Sequence, residues 1–152
     1  MNKITLLSII ALLFFASCVK EVEYNIPDVK FSLYVNLARP EFASLRVDGQ
    51  AVVLNKNEYG NEAGYAGIII IKSAFAPNGY YAFDRCCTHH PIEAHPGNTR
   101  SINPDGALGV CPFDSSTFVL INGSGVPLSG PAKLPLRPYK VSLSGSRLSI
   151  YN

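Results

Sequence analysis

Two short segments of the sequence concentrate side chains that bind metals, form disulfides or act as nucleophiles. The first, RCCTHHP, spans residues 85–91, and the second, CPFDSSTF, spans residues 111–118. They contain a C-x-H pair, Cys87 and His89, and a C-P-x-D pair, Cys111 and Asp114. Two thiolates, an imidazole and a carboxylate can close four positions around a metal, and two thiols can close a disulfide. The spacing therefore predicts a site built where two loops meet.

Short strands joined by turns are predicted to carry both loops. Apolar residues alternate along residues 29–37, which is the period of a half-buried strand. Further strands are predicted at 67–71, 80–84 and 116–121, turns at 76–79 and 122–125, and a closing hairpin at 140–151. The hairpin formed by 67–71 and 80–84 would deliver the first cysteines to its end. Prolines in residues 126–139 predict an irregular loop rather than a central strand, and residues 39–64 give no clear pattern.

Composition indicates one all-β domain. The chain has 152 residues, of which 16% are charged, with 12 glycines and 11 prolines. Short apolar runs separated by glycine and proline favour strands over long helices. The formal net charge is only +2 and no basic block occurs, so the sequence gives no electrostatic footprint for nucleic acid.

The N-terminal segment has the pattern of an export signal. Residues 4–15 are almost entirely apolar but too few to span a bilayer, which needs about 20 residues. Ala16-Ser17-Cys18 has the form of a lipobox, so we expect a signal peptide at 1–17, lipidation of Cys18, a tether at 18–28 and the domain at 29–152. The protein would then face the periplasm or exterior of a bacterial envelope, anchored to the membrane through Cys18. An ordinary secretory signal, with Cys18 as a spare thiol, is the alternative.

Four features in order resemble a Rieske domain. They are the C-T-H loop, the C-P-x-x-S-S-x-F loop, the G-x-P-L-S-G-P-A run at 125–132 and the terminal hairpin. The resemblance implies stacked antiparallel sheets with a small loop-rich cluster-binding subdomain. Loops 85–95 and 111–118 would then hold a 2Fe–2S cluster under a covering loop at 126–138.

The resemblance also implies roles for individual residues. Cys87 and Cys111 match the cysteine ligands and His89 matches the first histidine ligand, while Asp114 falls where the second histidine belongs. Two further matches lie around the ligands. Ser116 matches a serine that would donate a hydrogen bond toward a cluster sulfur, and Gly130-Pro131 matches the Gly-Pro pair of the covering loop. Ser115 stands where the family usually has glycine.

Two departures from the family argue against a cluster. A carboxylate at position 114 is harder than an imidazole and carries a charge, so it would weaken the site and lower its potential. The signal also has no arginine pair, whereas cluster-bearing Rieske proteins generally cross the membrane folded through a twin-arginine signal. Without a cluster, the same loops would bring Cys87 and Cys111 close enough for a disulfide.

The other cysteine and histidines of the first loop have weaker assignments. Adjacent residues of an extended strand face opposite ways, so only one of Cys86 and Cys87 should face the second loop. His90 or His95 could supply a displaced fourth ligand, although solvated loop histidines are the simpler interpretation. No C-x-x-C at a helix start supports a catalytic redox pair, and no base and orienting residue accompany a cysteine nucleophile.

Two functions are consistent with these features of the sequence. The first is an exported lipoprotein that keeps the fold without a cluster, as a disulfide-closed envelope scaffold or binding protein. The alternative is a low-potential 2Fe–2S electron-transfer protein, with ligands Cys87, His89, Cys111 and Asp114 and an envelope redox partner. A mononuclear zinc or iron site on the same four residues ranks third. No catalytic constellation marks the chain as an enzyme.

Overall fold

The computed structural model describes residues 22, 24–56, 60–91 and 101–152. The predicted signal peptide, Cys18 and His95 lie outside the described residues, so those predictions stay as they are. Within the described part of the chain, no helix is long and apolar enough to cross a membrane.

Six antiparallel strands form the larger sheet. They are β1 (Ser32–Asn36), β2 (Ala51–Leu54), β3 (Ile68–Lys72), β4 (Tyr80–Asp84), β9 (Pro138–Ser144) and β10 (Arg147–Tyr151). Their order across the sheet is β1-β10-β9-β4-β3-β2. A 3-10 helix, Pro40–Arg46, connects β1 to β2 and buries Phe42 and Leu45. The central position of β4 matters most for the site, because the first cysteine-bearing loop begins where β4 ends.

A smaller sheet carries the second loop. It has four antiparallel strands in sequence order, β5 (Asn103–Asp105), β6 (Leu108–Val110), β7 (Thr117–Val119) and β8 (Pro127–Ser129). The loop 111–116 is the connection from β6 to β7, so the pairing of these two strands holds both of its ends.

Strand β3 separates two hydrophobic cores. Its four isoleucines are fully buried, and alternate ones point to opposite faces of the sheet. One face belongs to what we call the sheet core: Leu33, Val35, Phe42, Leu45, Ala63, Ile68, Ile70, Ala82, Tyr139, Leu148 and Ile150. The other belongs to the site core: Ile69, Ile71, Phe83, Cys87, Ile102, Cys111, Phe118, Leu120, Ala132 and Leu136. The site core joins the two sheets and contains both candidate cysteine ligands.

The predicted all-β class is confirmed, with antiparallel sheets and a smaller loop-rich unit. The alternation along 29–37, the hairpin of 67–71 with 80–84 and the closing hairpin are present. The strand predicted at 116–121 is shorter: β7 consists of residues 117–119, which pair with β6, and residues 117 and 118 also pair with β8. The segment predicted as an irregular loop at 126–139 contains β8 and the start of β9. Pro127 is nevertheless the first residue of an edge strand, where a missing N–H costs little.

Candidate functional site

A buried carboxylate fixes the start of the first loop. Asp84, the last residue of β4, is fully buried. It accepts hydrogen bonds from the backbone N–H groups of Tyr65 (2.6 Å) and Cys86 (2.7 Å) and from the Tyr139 hydroxyl (2.6 Å). Burial raises the pKa of Asp84, and these hydrogen bonds oppose that rise. These hydrogen bonds therefore fix the direction in which the backbone leaves β4 and enters the first loop.

Arg85 ties the same loop to the small sheet. Its side chain is 6% exposed, and its Nε and Nη2 atoms donate hydrogen bonds to Ile102 O and Asn103 Oδ1, each at 2.9 Å. Burial lowers the pKa of the guanidinium, and the neighbouring Asp84 charge opposes the change. The Arg85 carbonyl also accepts a 2.7 Å hydrogen bond from Ile102 N. The two sheets are thus joined at the point where the cysteines follow.

The adjacent cysteines face different surroundings. Cys86 packs with Ile26 and Ala66 in a small separate cluster, and its thiol lies 3.5 Å from the Pro91 carbonyl. Cys87 lies in the site core beside Cys111. Cys87, and not Cys86, is therefore the thiol that faces the second loop, as the alternation of an extended strand requires.

The second loop is a tight turn that aims Asp114 at the thiols. Its ends are closed by a 2.8 Å hydrogen bond from Cys111 N to Ser116 O and a 2.9 Å bond from Ser115 N to Cys111 O. Ser116 N donates to Asp114 Oδ1 at 2.8 Å, which fixes the carboxylate. Ser115 has φ 61°, the left-handed conformation that glycine adopts most easily.

The covering loop is in close contact with the second loop. Gly130, with φ +88°, lies so close that a Cβ atom there would be 2.5 Å from Ser116 Cα. Ala132 N, directly after Pro131, donates a 3.1 Å hydrogen bond to Ser116 Oγ. Thr88 Oγ1 of the first loop donates to Leu134 O at 2.7 Å. The covering loop therefore closes over both cysteine-bearing loops.

Three donor atoms from the two loops converge. One ligand atom each of Cys87, Cys111 and Asp114 lies within 4.8 Å of the other two. The Cys87 Sγ to Asp114 Oδ2 distance is 3.6 Å. Both cysteines are free thiols with no exposed surface, and the Asp114 side chain is only 9% exposed. The three predicted ligands are thus held together at the rim of the site core.

The histidines lie on the outer side of Asp114. His89, His90 and Asp114 form a second group whose ligand atoms are within 4.8 Å of one another. His90 Nε2 lies 3.6 Å from Asp114 Oδ2, and its ring contacts those of His89 and Phe113 edge to face, at 4.3 and 4.9 Å. His89 is exposed. The sequence alone assigns His90 a minor role. Its proximity to Asp114 becomes visible only in the folded loop.

Electrostatics favour a protonated Cys87 thiol beside an ionised Asp114 carboxylate. Burial alone would raise the pKa of Asp114, but hydrogen bonds from Ser116 and from the Cys111 and Cys87 thiols outweigh it and lower the pKa. Burial raises the pKa of Cys87, and the neighbouring Cys111 and Asp114 raise it further. Without a partner to displace its proton, the Cys87 thiol is a poor nucleophile at neutral pH.

Comparison with known proteins gives likenesses among solved structures only. No protein-family model matches the chain, and no curated protein matches it in sequence. A chain from the complex of reduced oxygenase and oxidized ferredoxin in carbazole 1,9a-dioxygenase is 22% identical, with a TM-score of 0.45, over 68% of this chain and 90% of that one. The Sphingomonas yanoikuyae B1 ferredoxin is 17% identical, with a TM-score of 0.43, over 70% and 88%. The ferredoxin of carbazole 1,9a-dioxygenase from Nocardioides aromaticivorans IC177 is 15% identical, with a TM-score of 0.45, over 81% and 97%.

The distance between ligand atoms distinguishes a site for one metal ion from a site for two. Two ligands bound at about 2.1 and 2.3 Å to one tetrahedral metal lie roughly 3.6 Å apart. Ligands of the two irons in a 2Fe–2S cluster lie further apart, because the irons and bridging sulfides stand between them. The Cys87 thiol donates a hydrogen bond to Asp114 Oδ2 at 3.6 Å, and this separation matches the spacing of two ligands on one metal. In this conformation, the separation of Cys87 Sγ and Asp114 Oδ2 is shorter than the spacing of ligands on two different irons.

Proposed function

We propose that this chain is an exported, lipid-anchored protein whose Rieske-like domain carries no two-iron cluster. It serves as an envelope scaffold or binding protein whose two loops are closed by a Cys87–Cys111 disulfide. The observation that carries the proposal is the 3.6 Å contact between Cys87 Sγ and Asp114 Oδ2. The carboxylate occupies the space next to the thiol in which a cluster would need its sulfides and second iron.

The disulfide is the stable outcome for this thiol pair in an oxidising compartment. The two sulfur atoms lie within 4.8 Å, in one buried core, and need to approach to about 2.05 Å. The oxidant is a disulfide of another protein or of a small thiol. Exchange through a mixed disulfide forms the Cys87–Cys111 bond, breaks the oxidant's S–S bond and leaves the two thiol protons on the two released thiols. Two electrons pass from the pair to the oxidant.

The sequence of the N-terminal segment supports the location. The apolar run, the small residues before Cys18 and the polar residues after it fit a lipid-anchored protein outside the cytoplasm. The lack of an arginine pair fits export of an unfolded chain, which would fold where disulfides form and persist.

The runner-up is the low-potential electron-transfer protein. It is favoured by the convergence of Cys87 and Cys111 beneath a covering loop, with His89 exposed on the adjacent turn. For this function, Asp114 would have to move away from both thiols.

Iron and acid-labile sulfide content separates the two functions. We would purify the full chain from its native membrane in detergent and record its visible absorption spectrum, metal content and free thiols. The proposal predicts a colourless protein without iron or sulfide, in which Cys87 and Cys111 are disulfide-bonded and Cys86 is a thiol. A reddish-brown protein with equal iron and sulfide, whose colour is lost in Cys87→Ser, would overturn it.

The Asp114→His variant sharpens this comparison. If the loops otherwise retain a cluster apparatus, restoring histidine should raise the iron and sulfide content of a protein that already contains some. Our proposal predicts that iron and sulfide stay absent in both the wild type and Asp114→His.

A further inference from the structure

We infer that, when the Cys87–Cys111 pair is reduced, the site binds one divalent cation of the zinc type. The ligands are Cys87, Cys111, Asp114 and His90. The inference rests on the proposed function in one respect, since both require that the site be built for fewer than two irons. It adds a ligand class and a redox condition to that site.

Contact distances carry the first step. Cys87 Sγ and His90 Nε2 each lie 3.6 Å from Asp114 Oδ2. For one tetrahedral ion, a sulfur–oxygen pair is expected at roughly 3.6 Å and a nitrogen–oxygen pair at roughly 3.4 Å. Asp114 belongs both to the group with the two thiols and to the group with the imidazole, and the His90 ring has to turn toward the thiols to bind the same ion. The other Asp114 oxygen is already held by Ser116 N. Such a supporting hydrogen bond is what orients a carboxylate ligand.

His90 is better placed than His89 for the fourth position. Its backbone N–H donates a 3.1 Å hydrogen bond to the Cys87 carbonyl, which turns the chain back toward the thiol. Its ring lies between the rings of His89 and Phe113 and is 26% exposed. The His89 side chain is exposed. The resemblance to a two-iron site would select His89, so this choice separates the two accounts.

The donor set selects the cation. Two sulfurs, one nitrogen and one oxygen in a compact group suit a borderline-soft tetrahedral ion, whereas magnesium and calcium prefer six or more oxygen ligands. On binding, each thiol releases its proton to solvent, so one cation displaces two protons. The cation supplies two positive charges to a group of two thiolates and one carboxylate. Burial of that group without a cation or protons would be costly. Oxidation of the two thiols to a disulfide removes both sulfur ligands, so binding requires the reduced pair.

Cobalt titration tests the site directly. Co²⁺ would be added to the full chain, reduced and metal-free, and the absorption spectrum followed. We expect saturation at one cobalt per chain, tetrahedral visible bands, sulfur-to-cobalt charge-transfer absorption and displacement of the cobalt by Zn²⁺. The same chain with its disulfide closed should give none of these signals. Absence of binding by the reduced chain, or octahedral cobalt without charge transfer, would overturn the inference.

Matched variants identify the ligands. Cys87→Ser should abolish the charge-transfer absorption, while Cys86→Ser, the neighbouring buried thiol on the other face, should leave it intact. His90→Ala should weaken cobalt binding on the order of 10–100-fold, and His89→Ala should change it less than about twofold. The reverse order for the two histidines would assign the fourth position to His89 and overturn the role of His90.

Folding and the proposed function are controlled separately. Far-ultraviolet circular dichroism and the thermal midpoint of each metal-free variant show whether it has folded. Asp114→Asn, which keeps the side-chain size, should still fold and bind cobalt at least 10-fold more weakly, and unaltered binding would contradict the ligand set. Iron and sulfide in the native protein would defeat both the proposed function and this inference. An iron-free native protein whose reduced form ignores cobalt would defeat only this inference.

Discussion

The two cores on either side of β3 are both buried, but they have different roles. The sheet core consists of side chains whose neighbours are apolar, apart from the Tyr139 hydroxyl, which is bonded to Asp84. The site core has the same number of buried isoleucine, leucine and phenylalanine residues, seven, but it includes two thiols, with a carboxylate at its rim. Burial in the first core yields stability, whereas burial in the second sets the spacing and protonation of reactive groups. The difference implies that the two regions can be disrupted independently.

Truncation in the sheet core should have the largest effect on stability. Leu148 is fully buried, so Leu148→Ala should lower the free energy of unfolding by about 2–5 kcal/mol, from lost transfer energy plus the cavity left behind. Urea denaturation measures this. Leu143 pairs with Leu148 across β9 and β10 but is 40% exposed, so Leu143→Ala should cost no more than about 0.5 kcal/mol. Equal losses for both variants would contradict the placement of this core.

The close contact of the covering loop should give the next largest effect. Gly130→Ala should cost about 1–2 kcal/mol for its left-handed backbone, and more because its Cβ would meet the Ser116 backbone at 2.5 Å. Gly145→Ala is the matched control: Gly145 also has a positive φ, of +59°, but nothing lies within 4 Å of an added Cβ. The excess loss in Gly130→Ala, measured by denaturation, reports the loop contact. If the two variants are equally stable, the covering loop does not press on Ser116.

The Asp84 carboxylate should matter both for stability and for its pH dependence. Asn at this position offers a single acceptor oxygen, so Asp84→Asn should leave donors unpaired and cost about 1–3 kcal/mol. Burial raises the folded-state pKa of Asp84 above its unfolded value. Its protonated form therefore favours the folded state, and this contribution is lost as pH rises from the unfolded pKa through the folded one.

A comparison of wild type and variant isolates that contribution. The free energy of unfolding of the wild type, relative to Asp84→Asn, should fall as pH rises above the ordinary carboxyl pKa of about 3.9. A relative stability that rises over the same range would show that the hydrogen bonds, and not burial, dominate the pKa of Asp84.

The smallest effect is expected at Ser115, and it should be stabilising. Glycine adopts φ 61° without the steric cost that serine incurs, so Ser115→Gly should gain about 0.5–1 kcal/mol. Ser142→Gly, on an exposed position of β9, should instead lose about 0.5–1 kcal/mol because glycine weakens a strand. Thermal midpoints of both variants check the opposite signs.

The sequence predicts the strands with strong patterns and misses those without them. Alternation along β1 and the isoleucine run of β3 are visible from residue types alone. The short strands β5 and β6 lack such a signal, because β5 contains Pro104 and β6 contains Gly109. The 3-10 helix and β2 lie in the segment that gave no pattern, where tertiary packing decides the structure.

The candidate site also has features that the sequence predicts and features that it misses. Motif spacing identifies Cys87, Cys111 and Asp114 as one group, and strand alternation separates Cys86 from it. The 3.6 Å approach of Asp114 to both Cys87 and His90 comes from the turn at Ser115 and the contact with Phe113, which no spacing encodes. The number of metals that the site accepts therefore depends on tertiary geometry.

One measurement tests most directly how many metal ions the site accepts. The reduced full chain would be supplied with excess iron and sulfide under anaerobic conditions, and its iron absorption fine structure and Mössbauer spectrum recorded. We predict at most one tetrahedral iron per chain, with two sulfur neighbours and no iron–iron scattering. A sulfide-bridged iron pair, with an iron–iron vector and coupled spins, would contradict the one-metal spacing of Cys87 and Asp114.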